Sequence, residues 1–393
     1  MQKRPEQERI RIEKIQYLEE KGVKPFGQRY DRTANSASIL TTYEPYTKEQ
    51  LEQQHFSVRI AGRLMAKRRQ GKIGFINIQD KYGTIQCYLS KEIMGEDNYD
   101  IFIKSDIGDI VGIEGIVMRT NTNQLTVKCQ VYTHLSKAIR PLPEKFHGLQ
   151  DIEETRRRRY VDLIVNEESK KIAFMRPKII RAVQHFFDQL GFVEVETPVL
   201  QPILGGAAAR PFITHHNALD MPFYLRIATE LPLKRLIVGG MEAVYEIGRL
   251  FRNEGVDARH NPEFTTVEAY LAYSDMNGMM DLIENFFRSV TQEVLGTSIV
   301  EFDGHTYDLS SFKRIHMVDA IKEQCGVDFW QPMTFEQATE LARQHQIDVP
   351  HHFTGVGHIV NAFFEKYCED GLIEPTLVYG PPIEISPVVK KYD

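Results

Sequence analysis

The stretch from Ala243 to Tyr273 carries the densest set of groups able to hold a charged ligand. Residues two apart on a strand point to the same side of a sheet. In Val244–Glu254 this puts Glu246, Gly248, Leu250, Arg252 and Glu254 on one face. Gly255 through Pro262 is a polar loop containing Arg259 and His260. The strand pattern resumes at Glu263, with Phe264, Thr266, Glu268 and Tyr270 on one side and Val267, Ala269 and Leu271 on the other. If the two segments pair as a hairpin, Arg252, Glu254, Phe264, Glu268 and Tyr270 line one surface, and the opposite face is apolar enough to lie on a core. One guanidinium, two carboxylates and two aromatics make a poor core and a good ligand platform. The same set also suits cross-strand salt bridges on a wet sheet, and composition alone leaves the two readings level.

Other chemistry-bearing residues give weaker signals. Adjacent histidines on a strand point to opposite faces, so His215-His216 make a poor metal pair and, like His351-His352, are expected to be structural. The four cysteines, Cys87, Cys129, Cys325 and Cys368, form no CxxC pair. That argues against a zinc site and for a reducing compartment. No metal site is expected from these residues. Arg156-Arg157-Arg158-Arg159 could track a phosphate backbone, although an ion-paired or solvated helix face suits the run somewhat better.

These groups need elements to position them. The helical period Ile172, Met175, Ile179, Val183, Phe186 and Leu190 predicts a long helix with Gly191 as its C-cap; Pro177 sits inside the pattern, so that either the helix kinks there or its regular part starts there. A strand at Phe192–Val195 follows, ending before Pro198. Further upstream, Val58–Ile60 with Leu64, Phe75–Ile78, Ile85–Leu89, Ile110–Val117 and Leu125–Tyr132 read as five strands separated by turn signals, with room for a helix between the third and fourth. That string matches a small Greek-key barrel of the OB type. Pro5–Lys21 reads as a charged helix, and Thr47 is placed to cap a second, short one. After Tyr273 the pattern is mainly helical, at Met276–Leu295, Met333–His345 and Gly357–Glu369.

At 393 residues the chain is too long for one small module, and its 42% hydrophobic and 26% charged composition is that of a globular protein. The formal net charge of -6 excludes an overall polycation, so any nucleic-acid contact must come from a local patch. The N-terminal residues are charged throughout and lack the apolar core of a secretory signal, and no stretch approaches the ~20 apolar residues of a membrane span. The expectation is a cytoplasmic protein with no membrane contact.

Phe251-Arg252-Asn253-Glu254-Gly255, followed by Arg259-His260-Asn261-Pro262-Glu263-Phe264, resembles the second signature motif of the class II aminoacyl-tRNA synthetases, and within that class the lysyl-tRNA synthetases. Gly191-Phe192 to Thr197-Pro198 matches the first motif, and Gly205 to His216 matches the lysine-specific loop. Pro141-Leu142-Pro143, His147-Gly148-Leu149 and Glu384-Ile385-Ser386-Pro387 match as well. The resemblance covers the whole chain. It implies an α+β protein: an N-terminal helical extension (1–54), an OB-fold anticodon-binding barrel (55–140), a linker (141–168) and a class II antiparallel-sheet catalytic domain (169–393) with a helical insertion around 275–372.

The same resemblance implies a lysine–tRNA ligase that uses ATP to form lysyl-adenylate and then charges lysine tRNA. Arg252 would contact both the lysine carboxylate and the α-phosphate, two anions that must be brought together. Phe264 would stack on adenine, Glu254 would accept from its amino group, and Arg259 and His260 would hold the outer phosphates. Gly206 and Glu230 would receive the substrate α-amino group, and Glu268 and Tyr270 the side-chain ammonium. On the barrel, Phe75 would stack an anticodon base while Arg68 and Gln86 read the central uridine. A homodimer through Ser169–Pro198 is implied too.

Three departures from the family pattern stand out. Gln124 occupies a position where many relatives carry Glu, and Pro177 replaces a helix-compatible residue. The sequence stops at Asp393, ahead of the strand whose acidic residues would hold Mg²⁺ and ahead of the third motif. The expectation on this reading is a lysyl-tRNA synthetase lacking its C-terminal part, which does not complete aminoacylation as it stands. A non-catalytic tRNA-binding or regulatory fragment is the first competing reading. A lysine-activating paralogue that modifies protein or lipid is the second, and the barrel argues against it.

Overall fold

The computed structural model describes residues 5–143, 151–257 and 260–386. The chain divides into two compact units, Met1–Lys170 and Lys171–Asp393.

The first unit begins with α1 (Glu6–Glu20), α2 (Ser36–Tyr43) and α3 (Lys48–Gln54). Thr47 caps α3 as predicted: its side chain accepts from Gln50 N–H while the Gln50 side chain accepts from the Thr47 N–H. Five strands follow: β1 (Ser57–Gln70), β2 (Ile73–Gln79), β3 (Thr84–Ser90), β4 (Ile110–Arg119) and β5 (Leu125–Ser136). They close into a barrel in the order β1-β2-β3-β5-β4, the OB-type barrel expected from the strand pattern. Alternate residues such as Ile60, Leu64, Ile76, Ile85, Ile113 and Val127 fill its interior. The predicted gap after β3 holds α4 (Lys91–Met94) and α5 (Glu96–Lys104). Lys67 Nζ donates to the carbonyls of Phe102, Ile103 and Ser105 at 2.7, 2.9 and 2.8 Å, satisfying acceptors that the end of a helix leaves open.

Two lysines and two aspartates hold the N-terminal helix to the barrel. Lys14 meets Asp106 at 2.5 Å, and Lys137 bridges Asp106 and Asp109 at 2.5 and 2.7 Å. Downstream, α6 (Ile152–Arg157) and α7 (Arg159–Val165) contain the arginine run. Three of its members are ion-paired within these helices: Arg157 with Glu153, Arg158 with Glu154 and Arg159 with Asp162. The ion-paired reading of the run is the one the structure favours.

The barrel wall also explains one glycine. The β4–β5 register shifts between Glu114 and Gly115, and a Cβ on Gly115 would lie 2.1 Å from the Lys128 carbonyl oxygen. A backbone atom cannot yield as a side chain can. Gly115→Ala is therefore expected to lower stability by about 1–3 kcal/mol, read as a fall in the urea midpoint at constant slope. An unchanged midpoint would mean that the two strands separate freely here.

In the second unit, α8 (Glu167–Gln189) is one helix running through Pro177. The proline forfeits an N–H bond, a cost of about 3 kcal/mol in a free helix, and here it is outweighed by a buried face of Ala182, Val183, Phe186 and Phe187. Gly191 takes φ +78°, and Phe192 N–H reaches back to the Phe187 carbonyl at 3.0 Å, closing the helix as its glycine predicts. Next come β6 (Val193–Glu194), β7 (Leu200–Gln201), β8 (Ile213–His216), β9 (Met221–Leu225), α9 (Glu230–Val238), β10 (Ala243–Phe251) and β11 (Glu263–Leu271). β10 and β11 are antiparallel, and β6 adds to β10 in parallel. A second, antiparallel sheet has the order β7-β9-β8.

The segment after Tyr273 is mainly helical, with short strands that the sequence pattern does not show. The predicted helices are present as α10 (Met276–Leu295), α12 (Phe335–Gln344) and α13 (Val356–Tyr367). Between them lie a hairpin of β12 (Ile299–Phe302) and β13 (His305–Asp308), then β14 (Lys313–His316) and α11 (Met317–Cys325). β14 pairs in parallel with β15 (Thr376–Tyr379). Four-residue strands carry too few residues to show a period, and β14 finds its partner some sixty positions away. The four cysteines are free thiols. No helix among the described residues is long and apolar enough to cross a membrane.

Candidate functional site

The two segments expected to form a hairpin do so, with Glu246 opposite Glu268, Gly248 opposite Thr266 and Leu250 opposite Phe264. The opposite face of the pair, through Tyr245, Ile247 and Ala269, packs on α8 and α10. The chemistry-bearing face is thus free of the core, because the alternation along each strand leaves no other arrangement.

At one end of this face the Arg252 guanidinium lies 5.2 Å from the centre of the Phe264 ring, a cation–π distance. Arg252 N–H donates to the Pro262 carbonyl at 2.9 Å, fixing the strand end. Arg252 Nε is screened from solvent and has no hydrogen-bond partner among the described residues. A buried guanidinium nitrogen with unused capacity fits an anionic ligand. Glu254 is exposed, and its Oε1 accepts from the Arg210 N–H at 3.2 Å. His260 Nδ1 lies 2.8 Å from Asp257 Oδ2. Arg259 lies outside the described residues.

At the other end Glu268 is partly buried. Its Oε1 accepts from Thr229 N–H at 3.2 Å and its Oε2 from the Tyr270 hydroxyl at 3.3 Å. Burial, followed by the charges of Glu268 and Glu230, pushes the Tyr270 phenol well above its usual range. It therefore stays protonated and donates. Glu230, at the start of α9, pairs with Lys234 at 2.5 Å. Gly206 holds φ +86°, and a Cβ there would stand 3.1 Å from the Cβ atoms of Ala228 and Glu230. A glycine lets this loop approach the carboxylate with its backbone.

Sequence reasoning missed the groups beneath this surface. Arg226 and Glu246 are 3% and 2% exposed, and neither was singled out as a site residue. A buried ion pair leaves no pattern in sequence when its members are twenty residues apart. Among the histidines, His215 pairs with Asp220 at 3.2 Å and His216 Nδ1 accepts from Leu219 N–H at 3.3 Å. Both are local structural contacts, as expected.

The barrel gathers Arg68, Phe75 and Gln86 onto its outer wall. Arg68 is opposite Phe75, Phe75 is opposite Tyr88, and Asn77 is opposite Gln86. The Phe75 and Tyr88 rings stand 5.3 Å apart. Arg68 reaches this wall through a bulge between Leu64 and Ala66. The bulge shifts the alternation by one, so that Lys67 is opposite the buried Ile76 and Arg68 is opposite Phe75. Thr126, 0% exposed, lies opposite Gln86 and its hydroxyl is 3.4 Å from Gln86 Oε1.

Residues 151–392 match the class II tRNA synthetases (D, K and N), and residues 58–135 match the OB-fold nucleic acid binding domain. Fold and site together define a class II aminoacyl-tRNA synthetase with an OB-fold domain. The Lysine–tRNA ligase of Lactococcus lactis subsp. lactis (strain IL1403) is 55% identical, over 98% of this chain and 78% of its own length. That of Enterococcus faecalis (strain ATCC 700802 / V583) is 54% identical over 97% of this chain and 77% of its own length. That of Streptococcus sanguinis (strain SK36) is 55% identical over 98% and 78%. The chain belongs to the lysine–tRNA ligase family, in agreement with the resemblance carried by its motifs.

Proposed function

We propose that this protein joins lysine to the 3′ end of lysine tRNA, using ATP. The observation that carries the reading is the hairpin face itself, with a guanidinium on an aromatic ring at one end and a hydrogen-bonded carboxylate at the other. In the first step a lysine carboxylate oxygen attacks the α-phosphorus and pyrophosphate leaves. Arg252 holds the two anions together and meets the charge that builds on the phosphoryl oxygens. Phe264 stacks on the adenine, Glu254 accepts from its amino group, and Arg259 and His260 take the outer phosphates. Gly206 and Glu230 receive the α-ammonium, and Glu268 with Tyr270 the side-chain ammonium. In the second step a ribose hydroxyl of the tRNA attacks the lysyl carbonyl and AMP leaves.

Mg²⁺ is expected from the family. Among the described residues no three His, Cys, Asp or Glu side chains converge to hold a metal ion.

The domain limits proposed are those read from the sequence: an extension over 1–54, the barrel over 55–140, a linker over 141–168 and the catalytic domain from 169. We further propose a cytoplasmic homodimer assembled through Ser169–Pro198. Lysine-dependent ATP–pyrophosphate exchange, followed by charging of lysine tRNA, tests the reading. Background exchange with tRNA binding retained would instead favour a non-catalytic tRNA-binding protein.

On the barrel, Phe75 is proposed to stack an anticodon base, and Arg68 and Gln86 to read the central uridine. Base–aromatic stacking is worth ~1–3 kcal/mol per base. Phe75→Ala is expected to weaken tRNA binding about tenfold or more and leave pyrophosphate exchange unchanged. Equal losses in both assays would make Phe75 a folding residue.

A further inference from the structure

Three carboxylates stand at the lysine end of the site, and two of them have a resident cation. Glu230 is paired with Lys234 and Glu246 with Arg226. Among the described residues Glu268 accepts only from neutral donors, the Thr229 N–H and the Tyr270 hydroxyl.

Glu246 and Glu268 face each other across β10 and β11. Side chains directly opposite in an antiparallel pair share a face, with Cβ atoms about 4.5–5.5 Å apart. Two carboxylates placed this close repel each other unless one is compensated by a cation. Arg226 supplies the compensation. Its Nη1 donates to Glu246 Oε1 and, at 3.0 and 3.2 Å, to the carbonyl and hydroxyl oxygens of Thr197. Its Nε donates to the Arg249 carbonyl at 2.8 Å, and the Thr197 hydroxyl donates to Glu246 Oε2 at 2.7 Å. A Cβ on Gly248 would lie 2.1 Å from Arg226 Nη2, so the glycine is what lets the guanidinium lie flat against the strand. These contacts hold the guanidinium beside Glu246.

We infer that Glu246 is a positioning residue for lysine selection, which sequesters the Arg226 guanidinium and so keeps Glu268 open to an incoming ammonium. The inference rests on the assignment of Glu268 to the lysine side-chain subsite. Without the Glu246 charge, the nearest compensation open to the guanidinium is the carboxylate opposite Glu246 in the β10–β11 register, Glu268. An internal Arg226–Glu268 pair would occupy the subsite and repel a cationic side chain. The neutral pair Arg226→Gln with Glu246→Gln removes both charges and leaves Glu268 uncompensated again.

The test is equilibrium binding of lysine and of ATP, measured separately by calorimetry on the full chain and its variants. Glu246→Gln is expected to weaken lysine about tenfold or more, as expected when a buried charge loses its partner, with ATP affinity unchanged. The double variant is expected to recover lysine affinity to within about threefold of the parent. A melting curve shows whether each variant is folded. Should Glu246→Gln fail to fold, the double variant, which strands no charge, decides alone, and a tenfold loss there overturns the inference. Unchanged lysine affinity in Glu246→Gln, or parallel losses for lysine and ATP, reduces the pair to a structural one. A parent protein that binds ATP but no lysine overturns the assignment of the subsite, and this inference with it. A parent that binds lysine equally well with Gln at 268 does the same.

Discussion

Arg252→Ala is expected to reduce lysine-dependent pyrophosphate exchange about a thousandfold, or ~4 kcal/mol of activation free energy. The reaction brings a carboxylate to a phosphoryl group, and the repulsion between them grows as the new bond forms. On the described part of the hairpin face, the cation beside the ring proposed to stack on adenine is Arg252, 5.2 Å from the centre of Phe264. Its backbone is held at the Pro262 carbonyl, and its guanidinium rests on the Phe264 ring. The loss should fall mainly on kcat, with smaller rises in the two Michaelis constants, because the contact strengthens as charge develops. Arg252→Lys keeps the charge but not the planar fork and should recover only part of the rate. A fall of less than tenfold in the alanine variant would move the phosphoryl contact to another residue.

Glu268→Gln is expected to lower lysine activation by about a hundredfold or more, consistent with ~3–5 kcal/mol for leaving a buried charge without its partner. The substitution preserves shape, and the amide oxygen still accepts one of the two bonds now made by Thr229 and Tyr270. What it removes is the charge that answers the side-chain ammonium. The deficit should appear in the Michaelis constant for lysine, while ATP binding is retained. A variant that activates lysine at the parent rate would take Glu268 out of the pocket.

Much of this site is legible in the sequence, and the reason is local. Arg252, Phe264, Glu268 and Tyr270 lie within nineteen consecutive residues, on two strands whose period of two alone assigns them a common face. The barrel was legible for the same reason, as each of its strands is long enough to show alternation. The rest depends on contacts between distant parts of the chain. Arg226 carries no signal of its own in the sequence until Thr197 and Glu246 are brought against it. The hairpin of β12 and β13 and the β14–β15 pair lie between and beyond the helices read from sequence and give no signal of their own, because four-residue strands are shorter than the window needed to see them. Pro177 is a further case: local propensity allows a kink or a late start, and the packing of Val183, Phe186 and Phe187 is what makes α8 a single helix.

The bulge in β1 has a consequence for how this protein can change in length. Up to Leu64 the even-numbered residues of the strand face the core, and beyond the bulge the odd-numbered Lys67 does so instead. One extra residue therefore decides that Lys67 reaches the carbonyls at the end of α5 while its neighbour Arg68 is displayed to solvent. Substitutions along the strand alter one side chain at a time. Removing a single residue at Met65 would exchange inside for outside over the last turn of the wall, placing a guanidinium in the core and withdrawing it from Phe75. The segment between Leu64 and Gln70 is thus tolerant of many changes in composition and of none in residue count.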